Sequence, residues 1–314
     1  MAFLESQNLL AARTGLDTVF FQTFNELENI PGRATADTGE LFHRIDIQNG
    51  AYIGQINKPV GVFSLVAESV ATPEGTPFVT NTYTIVPGDY AQKIMISKDL
   101  FDDNMHSVWA NNVKEFAASA RRTMNINAFN IFRNAFTGDT TPVLTADGVS
   151  LCNASHTLIG GGTVSNTATG VLNSTNLNTA MVALGEQKNQ AGVIVGSDAA
   201  YLVVPFALFK TATELLDSAL ISDTANNAIN VYRSATGITL YTSPYIGTAA
   251  GGTDTRWFLL TKTHSITRLV RQSVQTTLVN WDISDNRTYK YEANFRETYF
   301  VPDYAGVYGS TGTT

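Results

Sequence analysis

The chain has 314 residues, of which 44% are hydrophobic and 15% charged, with a formal net charge of −7. That length allows one large domain or two ordinary ones, and the acidic balance counts against a protein that grips nucleic acid, because phosphate binding needs clustered Lys and Arg. Cys152 is the only cysteine, which excludes an intrachain disulfide framework.

Charged residues usually make up about 25% of a soluble chain, so the polar surface here must come largely from Thr, Asn, Ser and Gln. A low-charge surface keeps neighbours apart poorly and suits a chain packed against copies of itself. A secreted protein with a neutral, loop-rich surface fits the composition equally well. Met1 to Leu10 lacks the basic head and apolar run of a signal peptide. No segment approaches the ~18 consecutive apolar residues of a membrane helix, so no membrane partner is expected.

In chain order, residues 1–44 read as an arm, with a helix predicted over Thr18–Asn29 and stopped by Pro31-Gly32. From Ile45 to about Tyr90 the chain is extended and turn-rich, punctuated by Gly50, Gly54, Pro59, Gly61, Pro73, Gly75, Pro77, Pro87 and Gly88. The β-type runs Val60–Val66 and Phe78–Val86 predict a long hairpin with an irregular tip near Thr72 to Thr76. It has too few apolar side chains to bury a core of its own. A lone two-stranded hairpin is only marginally stable in water, so this one must lie on something.

The stretch from Lys98 to Phe136 is the strongest local signal. An acidic turn, Asp102-Asp103-Asn104, opens it, and Asn104 or Ser107 can cap a free backbone N–H. Trp109, Val113, Phe116, Ala120, Met124, Ala128, Ile131 and Ala135 recur at three- and four-residue spacing and form one apolar stripe. No Gly or Pro interrupts it, and Gly138 sits where a helix would stop. A helix over 105–136 would be roughly 48 Å long, against about eleven or twelve residues for an ordinary one. Such a rod supports more than its own core.

A short β-like unit, Leu144 to His156, surrounds the Asp147-Gly148 turn. Gly160, Gly161, Gly162 and the polar run to Thr169 read as a flexible loop. The texture then becomes mixed. A helix is predicted over Asn173–Lys188 with Leu177, Ala180 and Leu184 on one face, and a strand over Tyr201–Val204 stopped by Pro205. A second helix covers Phe206–Leu220, followed by short strands near Asn230–Tyr232, Ile238–Thr242 and Trp257–Thr261. Strands between helices suggest a compact α/β layer. Beyond Ile266 the pattern returns to β, through an Asp285-Asn286 turn, with Tyr289, Tyr291 and Phe295 alternating with polar neighbours.

Reactive chemistry is scarce. Cys152 and His156 are four apart, but a working nucleophile and base are usually distant in sequence and need a third group to orient the base. His43, His106, His156 and His264 share no metal-ligand spacing, and the glycine triplet lacks the Lys-Ser or Lys-Thr of a phosphate loop. Asp282 to Asn286 lacks the alternate spacing of a calcium loop. Arg121-Arg122 and Arg268 to Arg271 are short basic groups that read as helix and strand faces paired with acids. No catalytic, cofactor-binding or metal residue is assigned, and no cofactor is expected. Catalytic groups that meet only in the fold, as in a secreted hydrolase, stay open at this point.

The order of these parts resembles the major capsid proteins of tailed phages with the HK97-type fold, and within them the Mu-like major head subunit group. The segment Lys98 to Asn104 resembles the acidic lead-in to the spine helix, and Leu144 to Leu158 is similar to the Asp-Gly…His unit after it. Tyr201 to Leu216 looks like the strand–Pro–helix opening of the distal domain, and Asn294 to Gly309 like the closing Arg-plus-aromatic segment.

The resemblance implies an α+β fold with an N-terminal arm (1–44), an E-loop and its stem (45–96), a peripheral domain (97–172 and 263–314) and an axial domain (173–262). It implies that Lys58, Val60, Phe63, Leu65, Phe78 and Tyr83 of the E-loop face a neighbouring subunit. Trp109, Val113, Phe116, Met124 and Ile131 would line the spine helix. Some members join an E-loop lysine to a neighbour's asparagine; Lys58 is the one candidate, and no local motif supports that chemistry. The implied partners are copies of the chain in hexamers and pentamers, a portal, a separate scaffolding protein, room for a decoration protein, and packaged double-stranded DNA without sequence-specific contact. A bacterial compartment shell of the encapsulin kind and a tail or baseplate protein are the alternatives.

Overall fold

A computed structural model describes residues 2–28, 33–75, 79–99, 106–137, 145–218, 230, 232–235, 237–280 and 287–313. The expectations for Pro31-Gly32, Thr76, Phe78, Asp102 to Asn104, Gly138 and the Asp285-Asn286 turn lie outside the described residues.

Helix α1 runs over Ala2–Glu26, well upstream of the predicted start at Thr18. Gly15 inside it costs about 1 kcal/mol relative to Ala. Docking compensates: Leu16, Phe20 and Phe24 fall at every fourth residue, therefore on one face, and all three are buried. At about 1.5–3 kcal/mol per large apolar side chain removed from water, this face outweighs the glycine. Asp17, directly after Leu16, accepts from Thr276 Oγ1 at 2.7 Å and from the Tyr291 hydroxyl at 2.8 Å.

The long helix α2 spans His106–Arg133, with Asn134 to Phe136 as a closing turn. Its buried apolar positions include Trp109, Val113, Phe116, Ala117, Met124, Ala128, Phe129, Ile131 and Phe132, and Arg121 and Asn125 are buried polar ones. Phe116 meets Phe20 of α1 at a ring distance of 5.8 Å and Tyr291 at 6.1 Å, so helix packs on helix and both pack on sheet.

That sheet has four strands. They are β1 (His43–Asp46), β4 (Gly88–Ser97), and the long pair β11 (Thr267–Val279) and β12 (Thr288–Phe300), ordered β1-β11-β12-β4. Strand β12 alternates from Thr288 to Tyr299, with Tyr289, Tyr291, Ala293, Phe295, Glu297 and Tyr299 buried, as a half-buried strand with a two-residue period requires.

A second sheet has five strands. Three come from the α/β segment: β8 (Ala199–Pro205), β9 (Thr239–Ser243) and β10 (Trp257–Thr261). The others are β7 (Thr167–Ala168) and β13 (Val307–Ser310), and the order is β7-β13-β10-β8-β9. This sheet therefore draws strands from both sides of the expected 173–262 segment. Its two faces serve different cores. Val203, Phe258 and Leu260 join the core under α2, where Phe258 meets Phe132 at 5.2 Å. Leu202, Val204, Trp257 and Leu259 face α3 (Ser174–Gly185) and α4 (Phe209–Asp217). Helix α3 begins where Asn173 Oδ1 accepts from the Asn176 backbone N–H at 2.8 Å, an N-cap.

The expected strand over Val60–Val66 carries no strand pairing. Pairing occurs instead between β2 (Tyr52–Asn57) and β3 (Val79–Ile85). The glycine triplet, read as a flexible loop, is the turn of a small hairpin joining β5 (His156–Thr157) to β6 (Thr163–Val164), with Gly161 and Gly162 in the left-handed region that favours glycine.

Candidate assembly surface

The hairpin β2–β3 is rooted on the body by aromatic packing. Tyr52 and Tyr83 lie 6.3 Å apart and each meets Phe300, at 5.9 and 5.8 Å. Tyr83 is half-buried, and burial, with Tyr52 beside it, pushes its hydroxyl up to about 12. Gly54 pairs with Tyr83 across the ladder, and a Cβ at residue 54 would stand 2.2 Å from the ring. The glycine lets the ring lie flat across the strand.

Beyond this root, residues 58 to 75 leave the body. Phe63 is 95% exposed and Leu65 102%, with Val60, Val62, Val66 and Val70 also exposed. An ordinary monomer scatters its exposed apolar residues singly, whereas a contiguous patch of this kind marks an interaction site. Lys58 is half-buried at the base of the loop. Phe78 lies outside the described residues. Of the E-loop residues expected from sequence, the structure thus places Lys58 and Tyr83 at the root and Val60, Phe63 and Leu65 on the projecting part.

A buried ionic network fixes the frame from which the loop projects. Arg121 of α2 donates to the Phe24 carbonyl at 3.2 and 3.1 Å and reaches Glu28 at 3.4 Å. Its remaining nitrogen, Nη1, donates to Asp37. Arg268 of β11 donates to Glu297 Oε2 at 2.9 and 2.7 Å and to the other oxygen of Asp37. Asp37 thereby bridges a helix and a strand through the segment between α1 and β1. Burial pulls the Arg121 guanidinium down to about 10, against the pull of Glu28 in the other direction. The short basic groups of the sequence do pair with acids, but their partner Asp37 carries no sequence signal, because the contacts span 84 and 231 residues.

A family model described as phage capsid protein matches residues 80–310. The chain belongs to the phage capsid protein family. Solved structures agree on the fold. The capsid of a native GTA particle is 16% identical, with 91% of this chain and 94% of that chain covered and a TM-score of 0.56. The capsid of Ralstonia phage GP4 is 10% identical over 91% and 93%, also with a TM-score of 0.56. The holo-SrpI encapsulin complex from Synechococcus elongatus PCC 7942 is 9% identical over 91% and 90%, with a TM-score of 0.52. No curated protein matches. The capsid protein has the HK97-type α+β fold and is a structural, major capsid shell subunit of the virion.

In the capsid protein the Cys152 thiol and the His156 ring have different surroundings. The thiol sits against Gly309, where an added Cβ would lie 2.4 Å from Sγ, and burial drives its pKa far above the ordinary range. A reactive cysteine needs the opposite environment. The His156 ring is engaged by Asp147, the Leu151 carbonyl and Asn166 instead. Among the described residues no group of three or more His, Cys, Asp or Glu could hold a metal ion, and no helix is long and apolar enough to cross a membrane.

Proposed function

We propose that this subunit assembles with copies of itself, as pentamers and hexamers, into an icosahedral shell that encloses phage double-stranded DNA. In this reading the loop 58–75 lies across a neighbouring subunit as an E-loop. The 1–44 arm, the 97–172 and 263–314 peripheral domain with its spine helix, and the 173–262 axial domain form the body of each protomer. The observation that carries it is the run of exposed apolar side chains around Phe63 and Leu65. Left in water, each such side chain forgoes about 1.5–3 kcal/mol, and permanent interfaces above ~2,000 Å² recover that energy.

The same reading gives the shell no catalytic activity and no sequence-specific DNA contact, since a net charge of −7 suits a container that does not hold its contents tightly. It takes a portal and a separate scaffolding protein as partners, leaves room for a decoration protein, and places assembly in the host bacterial cytoplasm. The order of motifs supports a place in the Mu-like group.

Deleting Pro59 to Gly75 tests it. The expected result by negative-stain microscopy is folded, soluble subunits or capsomers that never close a shell; normal particles would refute the assignment. The match to an encapsulin supports a second reading, a compartment enclosing cargo enzymes. Nucleic acid in native particles decides for the virion, and packaged protein without nucleic acid decides for the compartment.

A further inference from the structure

Two fully interior histidines have hydrogen-bond surroundings of opposite kind. His264 is 2% exposed. Its Nδ1 accepts from the Ile266 backbone N–H at 3.3 Å, and its Nε2 donates to the Glu40 carbonyl at 2.9 Å. One donor and one acceptor define a neutral imidazole.

His156 is 0% exposed and meets only acceptors. Nδ1 faces Asp147 Oδ2 at 2.8 Å. Nε2 faces the Leu151 carbonyl and Asn166 Oδ1, each at 3.2 Å. The Asn166 amide cannot be turned round to offer a donor. Its Oδ1 takes the Asn153 backbone N–H at 2.8 Å, and its Nδ2 donates to the Leu151 and Val307 carbonyls at 2.7 and 3.2 Å. Asp147 is held as a carboxylate: burial works to raise its pKa, but the hydrogen bonds from His156 and Thr145 bring it below the usual value. Tyr304 stacks on the imidazole at 4.2 Å, with ring planes 19° apart, a position from which a π-face stabilises a cation.

We infer that His156 carries both ring protons at neutral pH and forms, with Asp147, a buried ion pair that clamps the 145–151 turn to the chain's closing segment around Tyr304 and Val307. A bare nitrogen at either ring position would set a lone pair against an oxygen lone pair inside the protein, which costs the full desolvation of both groups. The titratable groups around the ring are Asp147, Tyr304 and the neighbouring Asp303, whose pKa is raised by burial and, to a smaller extent, by Asp147. The clamp therefore rests on both ring protons of His156 being present.

The test is nitrogen-15 NMR of assembled shells labelled at histidine, at neutral pH. The chain has four histidines, so His156→Gln and His264→Gln assign the signals. The expected result is two protonated-type nitrogens for His156 and one protonated with one bare nitrogen for His264. A bare nitrogen on His156 in the wild-type shell overturns the inference. Asp147→Asn keeps an acceptor but removes the charge, so its His156 should revert to one bare nitrogen; an unchanged spectrum there also overturns it. Should His156→Gln fail to assemble, the wild type and Asp147→Asn still decide the question, with assignment by selective coupling to the Asp147 turn.

Discussion

The ring of Tyr83 occupies the space that any side chain at residue 54 would need. A Cβ on Gly54 would fall 2.2 Å from Tyr83 Cζ, inside any real contact distance. Gly54→Ala must displace the ring from Phe300 and loosen the root of the hairpin. Overpacking of this kind costs about 1–3 kcal/mol. Faster amide hydrogen exchange confined to 52–57 and 79–85, with a lower yield of closed shells, is the expected outcome. Gly54→Ala combined with Tyr83→Ala should restore the backbone pairing but not the aromatic anchor.

Asp37 is shared by two buried guanidiniums, one on each carboxylate oxygen. Asp37→Ala removes the carboxylate shared by Arg121 and Arg268 and leaves each with its other acid, Glu28 and Glu297; breaking a buried pair by removing one partner costs about 3–5 kcal/mol. The unfolding free energy of unassembled subunits should fall by that amount. Adding Arg268→Met should deepen the loss, since it also strips the buried Glu297 of its cation. Equal losses for the single and the double variants would contradict the bridging role.

Phe63→Ser with Leu65→Ser makes the opposite kind of prediction. Both side chains are exposed in the protomer, so subunit stability should change by no more than about 0.5 kcal/mol. Shell formation should be lost, as read by particle counts in negative stain. A drop in subunit melting temperature would mean that the loop packs on its own molecule.

His264 makes the subunit sensitive to acid. Burial pulls its pKa from 6.5 down to about 4, and the adjacent His43, stacked at 4.6 Å, pulls the same way. The folded chain then binds fewer protons than the unfolded one between those values. This contribution is present above pH 6.5 and is lost as the pH falls through 4, and about 3 kcal/mol is at stake. His264→Gln can donate to Glu40 and accept from Ile266 without titrating. Between pH 7 and 4 it should lose less stability than the wild type in a denaturant titration.

Much of this was legible in the residues, for reasons that differ from element to element. The stripe from Trp109 to Ile131 repeats within a few turns, so local spacing alone reveals a buried helix face. The turn residues between Gly50 and Gly88 mark a hairpin for the same reason. Helix α1 was underestimated because its first turns mix Ser6, Gln7 and Asn8 with apolar residues, and its stability comes from docking on α2. The strand expected over Val60–Val66 failed because β-propensity describes a fit to a half-buried pleated surface. The protomer offers that segment none. The Asp37 bridge, the neutral His264 and the Asp147–His156 pair are invisible at sequence level, since each depends on residues that only the completed fold brings together.

The parallel pairing of β1 with β11 joins His43–Asp46 to a strand that begins at Thr267. During synthesis the ribosome therefore releases the greasy 58–75 loop long before its own platform can exist. Neighbouring nascent chains on one polysome would present these loops to each other while every platform is still missing. Only when the later strand has been made is the frame that carries the loop complete.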